Sequence, residues 1–517
     1  MSLQSFGYFL FLPVVAFLYL HLPRRAQTPL LLAASILFYW MNRPATAGPV
    51  LMWLPLAVLV LESLAVWRVS RAMEKSERPG RLLGWAIVGL LAVLAIFKYY
   101  NAAIAPVAPY VPELLRRLPF PLGISFYTFA AISYLVDVSQ GDLPAAKRFT
   151  DLAAFLSFFG TITSGPICRA IDVLPQLEEE HRFDAARTVN ALRLFGLGLF
   201  KKVAVADVIG MLVGQIYADI PGHGGPALLL GLVLYTLQLY FDFCGYSEMA
   251  RASAMLLGLD IPDNFKTPFF ATNFSGFWSR WHISLSSWLQ DYLFTPLVWS
   301  DPSRLPLIGR KIDRFSPVFC VFCVFFISGF WHGNTLPCVV WGLWQGICRA
   351  GEEILHQKMG KPKKKVPKRI TYAKRAVVFV LWTFGMAFFS IGSSVGTPGV
   401  TRPLGDAFAL LGGIFRDWSP ARFAGELWQG VQAGFYANTM MAAAYIAFVI
   451  AGLALAFWLD WLRFAKFKSK PAEQVLAAQP KALRWVLYYA IVLFCFAGLV
   501  MQSGGFSGLN MGIYAGF

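Results

Sequence analysis

The chain has 517 residues, 57% of them hydrophobic and 14% charged. An ordinary soluble domain has ~45–50% apolar and ~25% charged residues. With a mean hydropathy of +0.56, this composition excludes a soluble globular enzyme, a disordered chain and a secreted disulfide scaffold. A polytopic all-α membrane protein remains, with material for roughly ten to thirteen spanning or re-entrant helices at ~20 apolar residues each. The long continuous apolar runs, rather than alternation, argue against a β-barrel. The net charge of +17 sits in short loops between apolar runs, as cytoplasmic loops do under the positive-inside rule. No nucleic-acid-binding fold accompanies it.

The first run, Phe6 to Leu20, follows no basic residue and precedes no small-residue cleavage site, so it is expected as a retained helix rather than a signal peptide. Arg24 and Arg25 follow, then runs over Leu30–Trp40 and Val50–Trp67, the basic loop Arg68 to Arg81, and a run ending at Tyr99. Two spans separate the two basic segments, so both fall on the cytoplasmic side and the N-terminus is expected outside. The C-terminal third gives the same pattern. Residues 358–375 hold nine Lys/Arg and no acid, and residues 463–484 hold six against the single acid Glu473. Spans are expected near 376–394, 436–462 and 485–501, which puts the C-terminal tail outside. The loop 395–435 is expected to be partly helical and to lie at the interface.

The middle differs. Over residues 120–350 the apolar runs are broken at Pro121–Ser125, Thr163–Pro166 and Gly329–Pro337. Broken helices at membrane depth are tolerated only where they pack in protein or line a wet cavity. Within one membrane domain spanning 1–517, residues 1–119 therefore read as scaffold, 120–350 as the catalytic core and 351–517 as C-terminal helices with basic loops. No internal repeat is visible, and no matched halves of the kind many transporters show.

Three segments carry candidate chemistry. Across the 34 residues Phe315–Cys348, His332 is, cysteines aside, the one side chain titrating near neutral pH. A run that long needs a break, which Gly329, Gly333 and Pro337 supply. An ionisable residue at that depth is a functional candidate; a neutral histidine bonded to a neighbouring helix is the plain alternative. Cys320 and Cys323 in the same run read as two small apolar residues on one helix face, because a zinc site needs further ligands. Second, Phe274, Trp278, Trp281, Leu285, Trp288 and Tyr292 recur at helical spacing, with Ser275, Ser279, His282, Ser286 and Gln290 on a second line of the same helix. His282 is a site residue, or else a solvated histidine on an interfacial helix. Third, Tyr240, Asp242, Tyr246 and Glu248 end an apolar run. Asp242 orients a histidine or closes a helix end, or else forms a structural ion pair with Arg251 or Arg280.

A metal site fits poorly, and no Walker loop, dinucleotide turn or G-x-S-x-G occurs. A buried neutral imidazole takes a proton from a hydroxyl. The economical chemistry is direct base catalysis by His332 on an acceptor hydroxyl, with an acyl thioester as donor; Ser328 is a possible nucleophile in space. Asn334 and the freed N–H groups near Gly333 would stabilise the oxyanion, and the basic loops would attract an anionic donor such as coenzyme A.

Gln238–Met249, Phe277–Leu285 and Gly329–Asn334 resemble the signatures of membrane-bound O-acyltransferases, and most of all the bacterial alginate O-acetyltransferase-like branch. Phe9–Pro13, Pro121–Phe129, Ser164–Arg169 and Phe200–Asp207 look like the same branch. The resemblance covers residues 1–350 well and the rest loosely. It implies a ring of helices around a central funnel, with the invariant family histidine at His332 and the second histidine at His282. On it, Asp242 supports the histidines, and Arg280, Trp281, Asn264, Tyr246, Tyr240, Asn334 and Trp331 bind substrate. It implies acetyl-CoA as donor, no tightly bound cofactor and no metal. It further implies a bacterial inner-membrane location and a periplasmic acetyltransferase partner acting on alginate-like exopolysaccharide, cellulose or peptidoglycan. A related branch takes D-alanine from a carrier protein. The sequence departs from the branch at Ser279, Cys244, the direct Gly333–Asn334 step and the tail Asn510–Phe517. A transporter of a small anion or lipid-linked sugar, and a non-catalytic scaffold for a polysaccharide synthase, are the rival functions.

Overall fold

The computed structural model describes residues 1–44, 48–300, 315–359, 367–395, 401–434 and 439–503. The tail that departs from the branch pattern, Asn510–Phe517, lies outside them. The described residues form helices joined by turns, without a strand. Six described helices are long and apolar enough to cross a membrane: Gly48–Met73, Pro79–Tyr110, Gly225–Leu256, Lys368–Gly392, Met440–Ala465 and Lys481–Gln502. Shorter apolar helices cover Phe6–His21, Pro317–His332 and Leu404–Gly413. The expected outer loop is partly helical, at Leu404–Gly413 and Pro420–Gly434.

The chain folds as two compact units. The first comprises Met1–Gly196 with Tyr246–Asp263. Ser5 caps its first helix by accepting from the Tyr8 N–H, satisfying an otherwise orphaned donor. Its centre is Ile124–Gln140, where 14 of 17 residues are buried; a helix covered on all sides belongs to a core rather than a surface. Gly123 starts this helix with φ +71°, and a Cβ there would sit 1.6 Å from the Ile162 carbonyl oxygen. Only glycine fits that backbone and that approach, which explains the Pro121–Ser125 interruption. Residues 158–169, where a second interruption was expected, form turns between Phe149–Ser157 and Ala170–Leu177.

The second unit comprises Leu197–Gly245 with Asn264–Ile513. Two of its features differ from expectation. Gly329 does not break its helix; Pro317–His332 runs straight through it. A Cβ at Gly329 would lie 2.8 Å from the Gly342 Cα and 2.8 Å from the Cys338 carbonyl oxygen. Gly329 and Gly342 are therefore the contact at which this helix crosses Leu336–Met359. The break falls at residues 333–335, after His332, and Pro337 lies in the first turn of the next helix, where a missing N–H costs nothing. Cys320 and Cys323 both lie in the first helix of this hairpin as free cysteines. Nor is Asn273–Pro296 one helix. It divides into Phe274–Trp278 and Ile283–Leu289, followed by a π-helical turn Gln290–Phe294 and Thr295–Trp299.

Candidate active site

His332 is the last residue of its helix and only 3% exposed. Its ring meets Trp331 at 4.5 Å, Trp341 edge-on at 4.9 Å and Phe389 at 5.3 Å between centroids. These rings come from both arms of the hairpin and from Lys368–Gly392. The imidazole is thus held in a cage of aromatic rings. Ser328, one turn earlier, is buried on the same helix. Asn334 is exposed in the turn that follows.

His282 is also buried, at 1% exposure, so the solvated alternative does not hold. It sits at φ +44° in the left-handed region, just before Ile283–Leu289. That conformation costs a non-glycine residue energy and ends the helical periodicity. The surrounding turn is pinned to residues 264–266: the Lys266 N–H donates to the Arg280 carbonyl at 2.9 Å and the Ile283 N–H to the Asn264 carbonyl at 3.0 Å. Asn264 Oδ1 also accepts from the Ser284 N–H (3.1 Å), the Ser284 hydroxyl (2.9 Å) and His282 Nδ1 (3.2 Å). An oxygen only accepts, so Nδ1 carries the proton and Nε2 is the basic nitrogen. Burial holds the imidazole well below its ordinary pKa, at about 3.

A continuous series of ring contacts joins the two histidines. From His332 it runs through Trp341, Trp278 (6.4 Å from Trp341), Trp382 (5.5 Å) and Trp281 (4.9 Å). It continues through Phe265 (5.2 Å) and Phe243 (5.1 Å) to His282 (4.6 Å). Tyr240 packs on Trp281 at 6.0 Å. The structure thus brings His332, Trp331, Trp281, Tyr240, Asn264 and His282 into one aromatic belt. Tyr246 belongs to the first unit.

Asp242 has a partner the sequence did not suggest. Lys202 Nζ lies 2.7 Å from Asp242 Oδ1 and 2.5 Å from Asp207 Oδ1, while Arg251 pairs with Asp263 at 3.1 Å. Lys202 belongs to a π-helical turn, Phe200–Ala206, whose closing bond runs from the Asp207 N–H to the Lys202 carbonyl. Such turns recur at functional sites. The adjacent Tyr240 hydroxyl donates to Asp460 at 2.5 Å, and Lys201 Nζ lies 3.8 Å from Asp460. Polar anchors therefore hold one side of residues 240–244, while Tyr240 and Phe243 face Trp281 and His282. Trp341, Trp382, Phe389, Phe265 and Lys202 were not singled out in sequence. An aromatic in an apolar helix carries no mark of its neighbours, whereas two lysines inside an apolar run, Lys201 and Lys202, are a signal that could have pointed to buried acids.

Among the described residues the fold is thus helical, with six helices long and apolar enough to cross a membrane and two buried histidines joined by one belt of rings. The profile of the membrane-bound O-acyltransferase (MBOAT) family matches residues 45–394, and the chain belongs to that family. It is an acyltransferase and a multi-pass membrane protein. It is 30% identical to a probable alginate O-acetylase, AlgI, of Pseudomonas putida, over 96% of this chain and 95% of that one. It is 29% identical to a peptidoglycan O-acetyltransferase of Helicobacter pylori over 66% of this chain and 68% of that one. A teichoic acid D-alanyltransferase of Streptococcus thermophilus is 30% identical over 54% of this chain and 66% of its own length.

Proposed function

We propose that the protein takes an acetyl group from cytoplasmic acetyl-CoA and passes it across the bacterial inner membrane for O-acetylation of a cell-envelope polysaccharide. The polymer is an alginate-like exopolysaccharide, cellulose or peptidoglycan, reached through a periplasmic acetyltransferase partner, with both termini on the periplasmic side. The observation that carries this is the aromatic cage of His332, together with relatives named for O-acylation of envelope polymers. His332 is the general base. It takes the proton of an acceptor hydroxyl as that oxygen attacks the thioester carbonyl, and the imidazolium then returns the proton to the departing thiolate. Ester and free thiol leave, and the imidazole is neutral again. Asn334 and the N–H groups after His332 stabilise the oxyanion.

Asp242, His282 and Asn264 position rather than react. Asp242, held by Lys202, fixes the backbone that carries Phe243 against His282. Trp281, Tyr240 and Trp331 are the walls along which the acyl arm lies, and Arg280 meets its anionic end. Tyr246 is retained as a substrate-binding residue on the family resemblance alone.

Labelled acetyl-CoA supplied to proteoliposomes tests this reading. Release of free thiol with label in an acceptor supports it. Release only from an acylated carrier protein selects the D-alanyl-type donor, and no thioester cleavage from either donor favours a transporter.

A further inference from the structure

Two arginines converge on one phenylalanine. The guanidinium carbon of Arg375 lies 4.9 Å from the ring centre of Phe464, and that of Arg280 lies 5.8 Å from it. Phe464 in turn stacks on Phe270, with centroids 4.6 Å apart and planes 12° apart. Each guanidinium is steered by one backbone carbonyl: Arg375 Nε donates to Phe270 at 3.2 Å, and Arg280 Nη1 to Lys266 at 3.4 Å. Five donors per guanidinium leave most of each fork for something else.

Among the described residues neither arginine has a carboxylate partner, although other arginines, such as Arg187, Arg251, Arg349 and Arg402, are ion-paired. Two like charges side by side without a counter-ion are unfavourable, and burial together with the Arg375 charge lowers the pKa of Arg280. Lys266, Lys466, Lys468 and Lys470 flank the same loops. Paired guanidinium forks match the oxygens of a phosphate. Guanidinium planes and half-buried phenyl rings also offer stacking surfaces for a heteroaromatic base. A lipid headgroup supplies the phosphate but no ring to stack.

We propose that Arg280 and Arg375, over the Phe270–Phe464 pair, bind the phosphate-bearing nucleotide end of the acyl donor. This rests on the acetyl-CoA reading above and adds Arg375, Phe270 and Phe464 to it. Arg280 is two residues from His282, so a donor anchored there enters beside the turn that carries the second histidine.

The test is equilibrium binding of coenzyme A and of pantetheine, which lacks the nucleotide, to the full chain in phosphatidylcholine nanodiscs. Wild type should bind coenzyme A more tightly than pantetheine. Arg375→Gln should weaken coenzyme A binding about tenfold or more while pantetheine binding stays the same, and Arg375→Lys should restore only part. Lys374→Gln removes the same charge from an exposed neighbour and should retain coenzyme A binding. Equal coenzyme A affinity in wild type and Arg375→Gln overturns the proposal, as does an equal loss in Lys374→Gln. If Arg375 matters only in phosphatidylglycerol nanodiscs, with no competition by coenzyme A, the site belongs to a lipid headgroup and the proposal also falls. Arg375-dependent binding of coenzyme A without acetyl transfer would sink the donor reading and keep the site.

Discussion

The two buried histidines are held by opposite means. His332 ends a straight helix and is surrounded by rings, with a Gly329–Gly342 crossing behind it. His282 sits in a left-handed turn and is held by the amide of Asn264. The first environment fixes an imidazole by the shape of the rings around it. The second fixes orientation and tautomer through a hydrogen bond, at the cost of backbone strain. A general base has to gain and then release a proton, and a positioning group has to keep one. This difference in surroundings is what supports the proposed roles, His332 as the base and His282 as the positioning residue.

The largest structural effect is expected beneath His282. Lys202→Met leaves Asp242 and Asp207 buried without their shared cation, which typically costs about 3–5 kcal/mol. Thermal unfolding in detergent should show it. The triple change with Asp207→Asn and Asp242→Asn should recover much of the loss; no recovery would mean that Lys202 acts outside this cluster.

Next comes the crossing behind His332. Gly329→Val inserts atoms where even a Cβ lies 2.8 Å from Gly342, so a loss of about 1–3 kcal/mol is expected. Gly89→Val, on the lipid-facing helix Pro79–Ile104, meets nothing within 4 Å and should change the unfolding temperature far less. Equal losses would erase the distinction between scaffold and site.

Asn264→Ala removes the acceptor shared by His282 and Ser284, for about 1–3 kcal/mol. Asn264→Asp keeps the oxygen and should restore most of the activity lost; failure of that rescue would argue that Asn264 does not act through His282.

The smallest effect is a pH dependence. His282 has a folded pKa near 3, against about 6.5 unfolded. Its neutral form therefore favours the fold fully above about pH 6.5, and that share is lost as pH falls below it. His282→Gln should flatten the stability profile between pH 7 and 5. An unchanged slope would place the titration elsewhere.

Much of this was legible in the chain. The helices around Phe6, Leu54, Pro79, Lys368 and Lys481 follow from apolar runs bounded by basic residues, because the bilayer fixes both length and loop charge. His332 was legible because one ionisable residue in a long apolar stretch stands out. His282 was legible as a residue but not as a place: the spacing of Trp278, Trp281 and Leu285 imitates one helix, whereas contacts to Asn264, nearly twenty residues earlier, bend it into a turn. Asp242 was read as orienting a histidine or pairing with a nearby arginine, and the Lys202 that a π-helical turn brings to it was not foreseen, because sequence proximity favours local partners. Burial was not legible from hydropathy either. Apolar 18-residue stretches within Pro79–Tyr110 and Gly225–Leu256 have mean hydropathies of 2.1 and 1.7, yet 11% of the first stretch is buried and 78% of the second. Lipid and protein interior are equally apolar to a sequence.

The division of roles is tested most directly by single-turnover acetyl transfer from acetyl-CoA in proteoliposomes, comparing wild type, His332→Ala and His282→Ala at matched folding. With His332 as the base, His332→Ala should lose roughly 10²–10⁴-fold in the transfer step while still binding coenzyme A, and His282→Ala should lose less. Transfer by His332→Ala at the wild-type rate would contradict the account.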